Sequence, residues 1–160
     1  MNERPDWIEK EVEEANRQHV VVEARTRKSL ENSVTFGKKG PKFWQDLVEN
    51  LRNNTDNLPS IGLRGETSLV AHPPQGEQYC RVSVHRTGPF PKFTHTDIFY
   101  TPGAIAIRSR APGNHEGEYA FRVLSSGEIG AIQCGVDRMP RSASQMAACI
   151  VEGMATLIRH

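Results

Sequence analysis

His95 and Asp97 are the residues in this chain best suited to catalysis. Two residues apart on a strand, they point to the same side, flanked by Phe93 and Phe99. A carboxylate near an imidazole holds its tautomer and raises its pKa, which general acid–base chemistry uses. Side chains at this spacing stand about 7 Å apart along a strand, so a direct hydrogen bond needs favourable rotamers. The sequence places no nucleophile beside them. Surface or cross-strand pairing is the competing reading.

Six histidines (His19, His72, His85, His95, His115 and His160) raise the question of a metal. None has the spacing of a zinc motif, and zinc needs three or four converging ligands. His85 and His95 meet only if they fall on neighbouring strands in a suitable register, where Asp97 would join them. The expectation is no metal and no cofactor.

Arg81, Ser83, Arg108, Arg110 and Arg122 all fall on strand-like runs. Cys80, Val82 and Val84 alternate with Tyr79, Arg81, Ser83 and His85, so period two separates an apolar face from a polar one. Arg122 stands out of phase with Phe121 and Val123 in the same way. Arg81, Ser83, Arg108 and Arg122 are therefore candidates for one ligand-binding sheet face. Guanidinium forks match carboxylate and phosphate, and a stacking aromatic such as Tyr79 would favour RNA. The plainer reading is a solvated face whose arginines pair with Glu77, Glu118 and Glu128.

Gly37-Lys38-Lys39-Gly40 resembles a phosphate loop only superficially. That loop needs Ser or Thr after the lysine, and a strand leading into it. A helix starting at Pro41 would still offer backbone amides to an anion, helped by Lys38, Lys39 and Lys42. A solvated loop is the alternative.

These residues are positioned by a chain of 160 residues, a length typical of one domain. The expected parts are a helical portion over 1–57, a sheet over 61–133 and a C-terminal helix over 142–158. With 37% hydrophobic and 24% charged residues the composition is that of a soluble globular protein. Net charge of +1 gives no global pull toward nucleic acid or membrane. No apolar run approaches a membrane span, and the charged N-terminus is unlike a signal peptide. Cys80, Cys134 and Cys149 are odd in number and without close spacing, so reduced thiols and a cytoplasmic setting are expected. Cys80, on the apolar alternation, reads as a core thiol.

Glu3, Asp6, Glu9, Glu11, Glu13 and Glu14 precede Arg25, Arg27, Lys28, Lys38, Lys39 and Lys42. Acid early and base late suits the dipole of one long helix; a basic patch for an anionic partner is the alternative. Pro5 and Asp6 start a helix, with Trp7, Ile8, Val12 and Ala15 at helical spacing. It is expected to reach about Leu30, with a loop over Asn32–Gly40. A second helix opens at Pro41 and shows one apolar face, Phe43, Trp44, Leu47, Val48 and Leu51. Both Trp7 and Trp44 are expected to pack helices against the core.

Strands are predicted at Tyr79–Thr87, Phe93–Tyr100, Ala104–Arg110, Tyr119–Leu124 and Glu128–Gln133, with a weaker one in Ile61–Ala71. Loops or turns are expected at 72–76, 101–103 and 111–114. Ser142 and Gln145 form a capping box. The helix behind it buries Met146, Ala147, Ile150, Val151, Met154, Leu157 and Ile158. The fold class is α+β: two N-terminal helices, a mostly antiparallel five- to six-stranded meander, and a C-terminal helix on one sheet face.

No motif selects an activity. The leading expectation is a small non-enzymatic binding or regulatory protein, acting through an open sheet face or its N-terminal helix, with a homodimer or another protein as partner. A small enzyme using His85, His95, Asp97 and Arg108 is the second. Binding of nucleic acid or another polyanion through the basic residues is the third.

Overall fold

Alternation at period two in the middle of the chain produces six strands. They are β1 (Arg64–Leu69), β2 (Gln78–Arg86), β3 (Lys92–Tyr100), β4 (Ala106–Ala111), β5 (His115–Val123) and β6 (Ile129–Gln133). Each pairs antiparallel with its sequence neighbour, in the order β1-β2-β3-β4-β5-β6, so the sheet is a simple meander. The computed structural model describes residues 5–69, 77–101, 106–111 and 115–159. The turns and loops expected at 72–76, 102–103 and 112–114 lie outside them, as do His72 and His160. The class is α+β.

The helical half differs from expectation. A single helix, α1, runs Asp6–Asp56, through Leu30, Gly37, Gly40 and Pro41. There is one N-terminal helix, not two, and no loop over 32–40. An interior proline costs about 3 kcal/mol and each glycine about 1 kcal/mol. Packing outweighs this: Phe36, Phe43, Trp44, Leu47, Val48 and Leu51 are all buried, each contributing roughly 1.5–3 kcal/mol. Gly40 is needed there, because a Cβ at that position would run into the Tyr100 hydroxyl and the Phe121 ring.

The chain divides into two compact units, Met1–Val34 and Thr35–His160. In the first, the described residues are exposed nearly throughout, including Trp7 at 67%. Trp7 is thus not a core residue, whereas Trp44 is.

In the second unit, Phe36 and Phe43 meet Phe121, and Trp44 stacks on Tyr100 at 5.6 Å. The buried side of the sheet carries Cys80, Val82, Val84, Ile98, Tyr100, Ile107, Tyr119 and Phe121. The C-terminal helix α2 (Ala143–Arg159) packs on β2, β3 and β6. Its capping box forms: the Ser142 amide donates to Gln145 Oε1 at 3.0 Å, and the Gln145 amide to Ser142 Oγ at 3.2 Å. Of the expected stripe only Leu157 is exposed, and Ala143 and Ala155 are buried in addition.

At the other end of the sheet, a short 3-10 turn (Leu58–Ile61) ends at Gly62, whose φ of 77° suits glycine. Gly65 on β1 allows a close approach: a Cβ would come within 2.5 Å of both Leu58 Cδ1 and the Ser83 carbonyl. Buried Thr55 and Thr67 share a hydrogen bond of 3.1 Å, tying the end of α1 to β1. No helix among the described residues is long and apolar enough to cross a membrane.

Candidate functional site

Register decides what the sheet presents on its other side. In the β2–β3 pair, Tyr79 lies opposite Phe99, Arg81 opposite Asp97, Ser83 opposite His95 and His85 opposite Phe93. Opposed residues of an antiparallel pair share a face, so all eight project away from the buried side. The β3–β4 pair adds Arg110 opposite Asp97 and Arg108 opposite Phe99. Glu118 on β5 lies opposite Arg108, and Glu66 on β1 lies opposite Ser83.

At the centre, the Asp97 carboxylate accepts three hydrogen bonds. Arg81 donates through Nε at 2.8 Å and Nη2 at 3.1 Å, and the Tyr79 hydroxyl donates at 3.0 Å. Burial pushes the Asp97 carboxyl upward. The hydrogen bonds from Arg81 and Tyr79 and the Arg81 charge outweigh it and hold the group below its ordinary range. The Tyr79 phenol moves up, through burial and then its bond to Asp97. The Tyr79 and Phe99 rings stack with centroids 5.0 Å apart. Arg108 Nη2 reaches Glu77 Oε1 at 3.4 Å, beside a hollow of about 130 Å³ lined by Glu77, Phe99, Arg108, Ser109 and Arg110.

His95 does not engage Asp97 by hydrogen bond among the described contacts. Its ring lies 5.7 Å from that of Phe93, and the carboxylate is held by Arg81 and Tyr79. No group of three His, Cys, Asp or Glu side chains converges for a metal among the described residues. Arg81, Ser83 and Arg108 share the face as expected. Arg122 lies farther along it, opposite Gly130, and donates through Nη1 to the Phe121 carbonyl at 2.9 Å. Of the acids expected to pair with the sheet arginines, Glu77 meets Arg108. Glu128 pairs instead with Lys39.

The lysines are placed differently from expectation. Pro41 sits inside α1, so no helix N-terminus opens there to receive an anion. Lys39 binds Glu128 Oε1 at 2.9 Å and the Gly127 carbonyl at 2.8 Å, joining α1 to the β5–β6 turn. Lys38 and Lys42 remain exposed on the helix. Cys80 is fully buried, and burial lifts its thiol to about 12, as befits a core residue.

A second concavity went unread in the sequence. An open groove of about 720 Å³ runs between residues 137–141 and α2, lined in part by Met139, Arg141, Cys149 and Glu152. Its polar centre has a structural task. Asp137, whose side chain is only 4% exposed, accepts the Gln133 amide at 2.9 Å and Arg141 Nη2 at 2.9 Å, while Arg141 and Ala131 exchange backbone hydrogen bonds. The signal was present as an Asp and an Arg four residues apart beyond the last strand. Phe99 and Arg110, both named in the sequence, were not placed in the ligand-binding face, because only the register sets them beside Tyr79 and Asp97.

Compared with protein-family models, with curated proteins and with solved structures, the chain matches none.

Proposed function

We propose that this protein is a non-enzymatic binding module whose partner, another protein or a peptide, docks on the sheet face that carries Tyr79, Arg81, Asp97, Phe99 and Arg108. The observation carrying this reading is the stacked Tyr79–Phe99 pair, set among hydrogen-bonded charges on a face that neither α2 nor the 35–56 part of α1 occupies. An aromatic centre within a polar, arginine-bearing rim has the anatomy of a protein interface, where tyrosine and arginine dominate the binding energy. Glu66, Glu77, Asp97 and Glu118 interleave with the arginines. That balance suits a mixed-charge protein surface better than a polyanion, which asks for an excess of positive charge. An enzymatic use of His95 and Asp97 is less favoured, because Arg81 and Tyr79 already occupy the carboxylate. The thiols of Cys80, Cys134 and Cys149 are all free, which accords with a reducing, cytoplasmic setting.

The test is in-cell photo-crosslinking with a photoreactive phenylalanine at exposed Phe93, and in a control at exposed Leu157 on α2. The expected result is a discrete protein adduct from position 93 only, lost when Phe99→Ala and Arg108→Glu are added, and resistant to nuclease. A nuclease-sensitive adduct would move the reading to nucleic acid. Equal labelling at both positions would end it.

A further inference from the structure

The hairpin between β2 and β3 displays the most exposed large apolar side chain among the described residues. Phe90 is 77% exposed, and Phe93 is 64% exposed. Every residue from Thr87 to Phe93 is exposed. The last rung of the β2–β3 ladder pairs Arg86 with Lys92, so 87–91 project beyond it as a convex tip.

The backbone of this tip is suited to leaving water. Pro89 and Pro91 have no N–H, so neither brings a donor that would lose its hydration on burial. The Phe90 carbonyl between them accepts Arg86 Nε at 3.2 Å and Nη2 at 2.8 Å. Across Pro89-Phe90-Pro91 the Phe90 amide is the one remaining donor. In a water-poor layer each unmet backbone group is costly, and here most of that cost is already met.

The charge around the tip is of one sign. No Asp or Glu occurs from Gln78 to Thr96, nor from Asn57 to Gly65. Arg64 lies opposite His85, one rung from the Arg86–Lys92 pair. Arg64, Arg86 and Lys92 have no ion-pair partner among the described residues. The next acids along these strands, Glu66 and Asp97, lie farther in, and Asp97 is held by Arg81.

Together these features select the occupant. Protein interfaces mix both signs and are poor in lysine. An anionic bilayer surface attracts one sign of charge and receives aromatic rings at its interface. We propose that this tip is a membrane-surface contact: Phe90 enters the interfacial layer of an anionic bilayer while Arg64, Arg86 and Lys92 meet the headgroups. A single anchor of this size gives weak, reversible binding. The proposal uses the end of the sheet and stands without the sheet-face reading.

The test is co-sedimentation of the full-length chain with vesicles of phosphatidylcholine and phosphatidylserine, and with vesicles of phosphatidylcholine alone. The expected result is reversible binding to the mixed vesicles only, weakening as salt rises. Phe90→Ser should reduce the affinity about tenfold, and Lys92→Gln several-fold. Near-UV dichroism of the buried Trp44 should be unchanged in both, which separates lost contact from lost folding. Leu157→Ser, at an exposed site on α2, should bind like the wild type. Failure to bind the mixed vesicles overturns the proposal, as does binding that both Phe90→Ser and Lys92→Gln leave intact. A photoreactive phenylalanine at position 90 should yield lipid adducts in cells. Protein adducts without lipid adducts would overturn the membrane contact and assign the tip to a protein partner.

Discussion

Arg81 lies directly across the β2–β3 ladder from Asp97 and grips its carboxylate with two nitrogens, at 2.8 and 3.1 Å. The carboxylate side chain is 15% exposed and the arginine 49%. A mostly covered acid is thus held by a partner that solvent partly screens. Asp97→Asn should cost about 1–2 kcal/mol at neutral pH, less than a buried ion pair because of that screening. The Asp97 pKa is lowered on folding, so its contribution is present above the ordinary carboxylate value and fades as pH falls through the lowered one. Urea midpoints measured against pH should show the wild type losing stability below about pH 4, with a shallower loss in Asp97→Asn. Identical slopes would mean that the pair does not stabilise the fold.

Two glycines three residues apart in α1 should respond oppositely to alanine. Gly37 is exposed, with nothing within 4 Å of a built Cβ, so Gly37→Ala should stabilise by up to about 1 kcal/mol through helix propensity. Gly40 is buried against Tyr100 and Phe121, so Gly40→Ala should destabilise by about 1–3 kcal/mol despite the same propensity gain. Chemical denaturation of both variants checks the signs. Stabilisation by both would mean that Gly40 is not packed as described.

The thiols should separate by burial. Cys134 is exposed, whereas Cys80 is fully buried with its thiol near 12. Under native conditions a thiol reagent should modify Cys134 promptly and reach Cys80 only after unfolding. Peptide mapping of the labelled protein decides it; prompt native labelling of Cys80 would refute its place in the core.

The clasp beyond β6 should be structural. The Asp137 side chain is 4% exposed and accepts from both Arg141 and the Gln133 amide. Asp137→Ala leaves the part-buried Gln133 amide and a guanidinium one-third exposed without that acceptor, a loss of about 1–3 kcal/mol. Hydrogen exchange should report it first as lost protection of the Gln133 amide. A loss smaller than for a surface substitution would show the clasp to be incidental.

Much of the sheet was legible because its signal is local. Period-two alternation in Tyr79–His85 sorts Cys80, Val82 and Val84 inward and Tyr79, Arg81, Ser83 and His85 outward without reference to any other strand. The capping box at Ser142 and the stripe from Met146 to Ile158 are equally local, and both are present. Leu157 was misassigned because the edge of an apolar stripe depends on what lies beside it. The helical half was harder to read. The charge gradient from Glu3 to Lys42 matched one long helix, while Gly37, Gly40 and Pro41 argued for a break. Propensity alone cannot weigh those residues against Phe36, Trp44 and Leu51 packing on the far strands.

By itself, then, the sequence determined the α+β class, the strands and most of their facing, the C-terminal helix and its cap, and the inert character of Cys80. Each depends on spacing within a few residues. Only the tertiary structure decided that α1 continues through Pro41, because the compensating contacts come from Tyr100 and Phe121, far along the chain. It alone also decided that Asp97 belongs to Arg81 and Tyr79 and not to His95, and that Lys39 belongs to Glu128. Partner choice on a sheet follows from register, and register is a relation between strands that no single strand encodes.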